Sequence, residues 1–554
     1  MKSVARAIAL AGCAVKVGSS QCLSLPGDPN WPNTTLWGKL NSTVGGRLVA
    51  TVPIGSVCHE PNYDPVACTL LQQKWMVPGT HSETSSSVMQ PYFANQSCDP
   101  FTSASTPCEL GNYVSYAVNV SGAADIQAAV NFARTNKVRL VVRNTGHDYF
   151  GRSTGAGGLA IWTHHLNSID FVPWSDTYFT GTAMKIGAGV MGYQAAQAAD
   201  AAGVVAVTGE CPTVGLAGFT MGAGHSSLSS SFGLGADQVL SYEVVTANGL
   251  LVTASPTENS DLYWALSGGG PGTYAVVVSM TVKTHPQALI GGASLQLSAA
   301  YTTQAKFDEA LTALHALLPN MTDQGAHVIY TATNQLLQLN PVTIYNSTGE
   351  HIRDVVLAPF LSTLTTLGIP FAAKYTTLPF LTHYDTYMGP LPNGALAVSA
   401  YQFGSRLIPR TILQTPTTNT ALQLTLQNLT AQGLILAGSA AAYRAPPHTP
   451  PNAVLPAWRT TAVQLQLITR WDSAPEAWPR MLRDQEWITG EVVPRVEAVT
   501  PGGGTYVNEA DFRQPGWKED FFGGNWERLS AVKRKWDAGG LFYALRGVGI
   551  WIIG

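Results

Sequence analysis

The chain has 554 residues, of which 45 % are hydrophobic and only 12 % are charged, and its net charge is −3. Soluble domains usually have about a quarter charged residues, so this chain is poor in ions. The charge balance excludes a basic nucleic-acid-binding protein, and the apolar content excludes an intrinsically disordered one. No apolar stretch of about eighteen residues follows the N-terminus, so no membrane-spanning helix is expected.

The N-terminus has the segment order of a secretory signal. Lys2 and Arg6 precede an apolar run from Ala7 to Val15, and small and polar residues follow. Residues 1–20 are therefore predicted to be a signal peptide, with a plain apolar N-terminus as the alternative. A secreted chain is expected to carry glycans on Asn-x-Ser/Thr sites. Such sites occur at Asn33, Asn41, Asn95, Asn119, Asn320, Asn346 and Asn428.

Residues 21–111 are rich in Pro, Ser and Asn and are predicted to form a loop-rich extension. Cys58 with Cys68 and Cys98 with Cys108 are two pairs of equal spacing, which predicts two local disulfides in an oxidising compartment. Cys211 lies far beyond this segment and has no such partner.

From about residue 113 the hydrophobic periodicity predicts alternating helices and strands. Ser121 is a predicted helix cap, Asn248-Gly249 predicts a hairpin within 239–253, and 209–235 is predicted to be a long glycine-rich loop. Further strands are predicted at 138–142, 159–162, 185–190, 204–207 and 274–284, and further helices at 193–202 and 261–266.

After residue 286 the pattern of hydrophobic residues changes. Longer helical patterns such as 303–318 alternate with strands, which predicts a second α+β domain over 287–495. A charged helix is predicted at 526–536, near the C-terminus.

Gly187, Gly189 and Gly192 form a Gly-x-Gly-x-x-Gly pattern between a predicted strand and helix. Glu210 lies near the place of the acidic residue in a dinucleotide-binding fingerprint. A Rossmann-type NAD(P) dehydrogenase is therefore one alternative. Signatures of a P-loop, a His-Glu-x-x-His metal site and a hydrolase nucleophile elbow are absent, and no metal site is predicted.

Two glycine-rich loops, 143–151 and 209–225, are more informative. Glycines allow backbone N–H groups to approach an anion such as a pyrophosphate. His147 in the first loop and Cys211 in the second are nucleophiles that can bond to a cofactor. For an isolated His or Cys, a buried structural role is the favoured interpretation.

Together the two loops resemble those of flavin oxidases of the vanillyl-alcohol oxidase and p-cresol methylhydroxylase (PCMH) superfamily. They are most similar to secreted fungal members of the berberine bridge enzyme-like branch, and further matching segments occur at 233–239, 261–270, 506–511 and 525–529. The resemblance implies a two-domain α+β fold: a PCMH-type FAD-binding domain over 112–286, a substrate domain over 287–495 with an antiparallel sheet covered by helices, and a segment 496–554 that completes the FAD domain.

The resemblance also implies FAD bound covalently through His147 and Cys211. The other residues expected to bind the cofactor are Arg143, Asn144, Thr145, Gly146, Asp148, Ser153, Val214, Gly215, Gly218, Gly222, Gly224, His225 and Asn508. Ala223 departs from the family pattern because it stands where a glycine is usual.

The implied activity is an oxidase that takes a hydride from a small organic substrate and passes electrons to O2, giving H2O2. Glu509 is the expected base and Tyr506 the second catalytic candidate; a structural ion pair of Glu509 with Arg513 is the alternative. A secondary metabolite is the favoured substrate, in some members with ring closure. A carbohydrate or alcohol oxidase, and a non-catalytic secreted flavoprotein, remain alternatives.

Overall fold

The computed structural model describes residues 23–549. The predicted signal peptide and residues 550–554 lie outside this range. Within it, the predicted disulfides Cys58–Cys68 and Cys98–Cys108 are confirmed, and Cys211 is a free cysteine. None of the helices in this range is long and apolar enough to cross a membrane.

The first sheet has four strands in the order β1-β2-β4-β3, with parallel pairing except between β1 and β2. Its strands are β1 (Leu48–Ala50), β2 (Tyr116–Asn119), β3 (Leu140–Arg143) and β4 (Leu159–Trp162). Helices of this part of the chain are Thr34–Thr43, Pro65–Lys74, Pro78–Ser82, Pro91–Ala94 and Ala123–Asn136.

The segment before residue 112 is thus more regular than its composition predicts. Its strand β1 pairs with β2, and Trp37, Leu40 and Val44 share one buried cluster with side chains of the first sheet. Ser121 does not cap the following helix: its N–H and hydroxyl both donate to the Asp125 carboxylate, which also accepts from Arg47.

The second sheet is antiparallel, in the order β5-β6-β10-β8-β9. Its strands are β5 (Ile169–Ser175), β6 (Thr180–Gly187), β8 (Val239–Val245), β9 (Leu251–Ala254) and β10 (Val276–Lys283), and a two-stranded sheet joins β7 (Val204–Val205) to β11 (His285–Pro286). Its helices are Gly192–Ala201, Leu216–Met221, Ser229–Phe232 and Ser260–Leu266.

The structure of this part of the chain differs from two expectations. The segment 209–235 contains two short helices, and the first of them, Leu216–Met221, is buried in the core through Leu216, Phe219 and Met221. The glycine pattern that starts at Gly187 lies at the end of an antiparallel strand rather than in a parallel βαβ unit, so it is not a Rossmann fingerprint. A side chain at Gly187 would overlap the backbone of Leu166, which explains the glycine.

The second domain is a seven-stranded antiparallel sheet in the order β15-β12-β14-β13-β17-β18-β16. Its strands are β12 (Leu289–Ser298), β13 (His327–Ala332), β14 (Leu336–Tyr345), β15 (Ala372–Pro379), β16 (Tyr401–Pro409), β17 (Ile435–Ala440) and β18 (Thr461–Arg470). Its helices are Gln304–Asp323, Gly349–His351, Ala358–Leu367, Phe380–Met388, Arg410–Gln414, Pro416–Ala431, Trp478–Trp487 and Val493–Ala498.

Helices bury one face of this sheet in the largest apolar cluster, which confirms the predicted two-domain α+β fold. The opposite face carries polar side chains that reach the first domain, as described below. The chain then returns to the first domain, where the helices Trp517–Phe522 and Trp526–Trp536 join its core.

Candidate active site

The loop that follows β3 presents His147. Its Nε2 lies 2.8 Å from the Thr213 hydroxyl, and which ring nitrogen carries the proton depends on the tautomer. Burial lowers the pKa of His147 to about 3, and the nearby His81 and Arg143 act in the same direction. The imidazole is therefore neutral near pH 7, the form in which one ring nitrogen has a free lone pair.

The second loop presents Cys211 at the same hydroxyl. The Cys211 sulfur lies 3.5 Å from Thr213 Oγ1, and Val214 N–H donates to the Cys211 carbonyl, which fixes the turn. Burial raises the pKa of Cys211, so the side chain is a thiol at neutral pH. Two nucleophiles from loops far apart in the sequence thus meet at one point.

Around this point the backbone is closely packed against polar side chains. A Cβ atom on Gly215 would overlap the Asn144 amide, and one on Gly222 would overlap the Asn508 amide. Asn144 Nδ2 donates to the Ala188 carbonyl, but its buried Oδ1 has no hydrogen-bond partner among residues 23–549. An unpaired buried acceptor beside two nucleophiles fits a site built to hold a polar ring system such as a flavin.

Other predicted cofactor residues shape the first loop. Arg143 is buried and donates to the carbonyls of His81 and Thr84, while its Nη1 has no hydrogen-bond partner in the part of the chain that the structure describes. Burial raises the pKa of Asp148, whose carboxylate accepts the backbone N–H of Arg152. Thr145, Gly146 and Ser153 lie in this same loop.

The helix Leu216–Met221 connects the second loop to the C-terminal segment. Asn508 Nδ2 donates to the Gly218 carbonyl and to the Tyr506 hydroxyl. Gly224 and Ala223 both have positive φ, +75° and +114°. The φ of Ala223 is unusual for a residue with a side chain, so the backbone has a conformation at this position that favours glycine.

Beyond this helix, His225 lies between two carboxylates. Its Nδ1 is 3.1 Å from Glu210 Oε1 and its Nε2 is 3.1 Å from Glu509 Oε1. Burial alone would lower the pKa of His225, but Glu509 and Glu210 together raise it well above its ordinary value. At Glu210, burial alone would raise the pKa of the carboxyl group, but His225 and His327 lower it below its ordinary value. The ion-pair partner of Glu509 is therefore His225 and not Arg513.

The second domain supplies the remaining partners of these carboxylates. Gln466 on β18 donates to Glu509 Oε2 at 2.6 Å, and Ser439 on β17 donates to Glu210 Oε1 at 3.0 Å. His327, the first residue of β13, lies 3.4 Å from Glu210. No sequence pattern points to these three residues, because they come from separate strands of another domain.

The same sheet face also carries apolar side chains. Residues directly opposite each other in an antiparallel pair share a face of the sheet. Ala437 is therefore beside Gln466, and Ile329 is beside Ser439. Phe403 of β16 stacks on Tyr149 of the first loop, with ring centroids 3.9 Å apart. Tyr506 is buried at this junction and contacts Trp458 and His225 edge-on.

Comparisons with known proteins agree with this architecture. Residues 114–255 match a family described as FAD binding domain, and residues 505–549 match one described as berberine and berberine like. The FAD-linked oxidoreductase ZEB1 of Gibberella zeae is 46 % identical over 97 % of this chain and 94 % of that protein. The bifunctional decalin synthase calF of Penicillium decumbens is 41 % identical over 96 % and 93 %.

Solved structures give the same result. The VAO-type flavoprotein MtVAO615 from Myceliophthora thermophila C1 superposes with a TM-score of 0.92, at 41 % identity over 96 % of this chain and 97 % of that one. Glucooligosaccharide oxidase from Acremonium strictum, described with a 6-S-cysteinyl, 8α-N1-histidyl FAD, shares the fold at a TM-score of 0.64 and 19 % identity. With its two-loop site, its sheet order and full-length relatives of this kind, the chain belongs to the berberine bridge enzyme-like FAD-linked oxidoreductases of the vanillyl-alcohol oxidase type.

Proposed function

We propose that this protein is an oxidase that converts a hydroxyl group of a small, largely apolar secondary metabolite to a carbonyl, with O2 as the electron acceptor and H2O2 as product. The observation that carries this proposal is Glu509. Its two carboxylate oxygens are held by His225 and Gln466, at the junction of the cofactor loops and the substrate-domain sheet.

The cofactor is FAD, bound covalently through His147 and Cys211. Both side chains contact the Thr213 hydroxyl, and the neutral imidazole of His147 is the form required to make a carbon–nitrogen bond. The other predicted cofactor residues lie in the same two loops or, as Asn508, directly against them. When bound, the flavin supplies a two-electron acceptor for hydride.

Glu509 acts as the general base. A carboxylate within hydrogen-bond reach of a substrate hydroxyl can take its proton while the carbon loses hydride. His225 and Gln466 fix the orientation of Glu509, so its lone pairs need no reorganisation when the proton arrives. Tyr506 is buried beside His225 and orients Asn508 through its hydroxyl.

The sheet face next to Glu509 supports an apolar substrate. Ile329, Phe403 and Ala437 are partly exposed apolar side chains on this face, and none of the strands β13, β16, β17 and β18 contains a tryptophan. Small-molecule pockets are lined mainly by hydrophobic and aromatic side chains with a few polar groups, so this face supports an apolar natural product as the substrate. The decalin synthase among the relatives favours ring closure after oxidation as a second reaction of this site.

We further infer that the protein is secreted and glycosylated. Two disulfides of the predicted spacing support an oxidising compartment. Glycan acceptor residues that are exposed on the surface are Asn33, Asn95, Asn320, Asn346 and Asn428.

The test is peroxide release from a panel of hydroxylated polyketides, terpenes, alkaloids and sugars. On any substrate that reacts, Glu509→Gln is expected to lower kcat about 100-fold or more. Glu497→Gln is the matched control, because Glu497 is a partly buried acid that pairs with Arg406 instead. Flavin-loaded protein without turnover on any substrate would favour a non-catalytic flavoprotein, and equal losses in both variants would refute the role of Glu509.

A further inference from the structure

Four polar atoms from separate segments converge beside the cofactor loops. They belong to Glu210, His225, His327 on β13 and Ser439 on β17. The Ser439 hydroxyl oxygen lies 3.0 Å from Glu210 Oε1, 3.1 Å from His225 Nδ1 and 2.8 Å from His327 Nε2. Glu210 Oε1 lies 3.1 Å from His225 Nδ1 and 3.4 Å from His327 Nε2, and the two histidine nitrogens are within 4.8 Å of each other.

We propose that Glu210, His225 and His327 bind a zinc ion, with the Ser439 hydroxyl at the fourth corner. Zinc bond lengths of about 2.0–2.1 Å place tetrahedral ligand atoms about 3.3 Å apart. Five of the six separations lie between 2.8 and 3.4 Å, close to this value, and the two histidine nitrogens lie within 4.8 Å of each other. Glu210 and His225 lie at the two ends of the 209–225 segment, and His327 and Ser439 lie on separate strands of the second domain, so no sequence spacing reveals the site.

The charges at this place favour a divalent cation. Glu210 and Glu509 are carboxylates with only 17 % and 21 % of their side chains exposed, and both contact His225. No Lys or Arg forms an ion pair with either of them in residues 23–549. Partly buried carboxylates need counter-charge, and a divalent cation bound beside them supplies it. Zinc binds imidazole nitrogen in the neutral form, so His225 would be a neutral ligand in this site.

The surrounding hydrogen bonds also match a metal site. Metal-binding histidines usually donate their second ring nitrogen to a carboxylate, which fixes the ring. His225 Nε2 lies 3.1 Å from Glu509 Oε1, and Glu509 is held in turn by Gln466. The Tyr443 hydroxyl donates to the Ser439 carbonyl at 2.6 Å, which fixes this part of β17. Two imidazoles and a carboxylate are a donor set that suits zinc, which has no redox chemistry of its own.

The zinc would join the two domains and hold Glu509 as an acceptor. His225 and Glu210 belong to the first domain, whereas His327 and Ser439 belong to the second. With Nδ1 on the metal, His225 Nε2 carries a proton that is donated to Glu509. Zinc binding itself does not depend on the proposed reaction, so its test is independent of activity.

The test measures zinc bound to the flavin-loaded, full-length protein. The protein is stripped with a chelator and dialysed to equilibrium against micromolar free Zn²⁺, and bound zinc is counted by mass spectrometry of the elements. We expect about one zinc per chain in the wild type. His327→Ala is expected to weaken zinc binding at least about 100-fold while the flavin absorbance is kept.

The matched control is His315→Ala. His315 is also buried in the second domain and hydrogen-bonded, to Tyr330 and Gln423, but it lies outside the cluster. This variant should bind zinc like the wild type. Wild-type protein that binds no zinc at micromolar concentration would overturn the proposal and leave a hydrogen-bonded network. A dissociation constant of His327→Ala equal to that of the wild type, measured by titration with buffered Zn²⁺, would overturn it as well.

Discussion

The buried carboxylate of Asp237 provides a strong test of how the two domains are held together. It accepts from Arg459 Nη1 at 2.8 Å and Nη2 at 2.7 Å, from Asn452 at 2.8 Å and from the Leu234 N–H at 2.8 Å. Its side chain is fully buried, whereas Arg459 is 24 % exposed. Asp237 follows the His225 loop in the first domain, and Arg459 precedes β18 in the second.

Arg459→Met removes the cation but keeps most of the side-chain volume. It leaves Asp237 with a buried charge and only neutral donors, which typically costs about 3–5 kcal/mol. Since 1 kcal/mol shifts the melting temperature by roughly 2–4 °C in a domain of 150–250 residues, we expect a fall of roughly 6–20 °C. The additional change Asp237→Asn should recover part of this loss, because the uncompensated charge is then gone.

The control is Arg444→Met. Arg444 pairs with Asp323, but the two side chains are 65 % and 42 % exposed, so their pair should contribute about 0–1 kcal/mol. Both variants are compared with the wild type by calorimetry and by flavin fluorescence on heating. A melting temperature of Arg459→Met within about 2 °C of the control would refute the reasoning from burial.

Two further predictions concern packing and pH. Gly222→Ala should lower the flavin content per chain and the free energy of unfolding by about 1–3 kcal/mol, because its Cβ would overlap the Asn508 amide. Gly38→Ala is the control, because a Cβ there meets no atom within 4 Å, and it should change neither quantity. The flavin content is measured from the ratio of flavin to protein absorbance, and the stability from denaturant unfolding. Burial lowers the pKa of His315 from 6.5 to about 4 in the folded protein. As the pH falls from 6.5 to 4, the unfolded chain therefore binds a proton at this residue before the folded protein does, and the folded state loses stability. His315→Gln should remove about 3 kcal/mol of this loss in urea titrations at pH 7 and 4, and an unchanged loss would contradict the assignment.

Local elements of this fold could be predicted from the sequence where one local interaction dominates. Asn248-Gly249 lies in the turn between β8 and β9, as predicted. The C-terminal helix begins at Trp526 and ends at Trp536, the two residues that the sequence pattern predicts. Both disulfides followed from equal cysteine spacing in one short segment. Ser121 shows the limit of such rules, because the Asp125 carboxylate captures the hydroxyl that was expected to cap the helix.

The site could be predicted only as far as its loops. The loop motifs predict His147 and Cys211 as the cofactor-bonding residues, and the structure brings both to the Thr213 hydroxyl. The partners of Glu509 could not be found in this way. Arg513 is near in sequence, but His225 and Gln466 are near in space because two domains meet there.

The central claim is that His147 and Cys211 each form a bond to FAD, and acid precipitation tests it most directly. The flavin spectrum of the wild type should stay with the precipitated protein. His147→Ala and Cys211→Ala should each keep one bond, with peptide mass spectrometry locating the flavin on the remaining residue, and the double variant should release all flavin. Flavin that leaves the wild-type precipitate, or that stays bound in the double variant, would contradict the account.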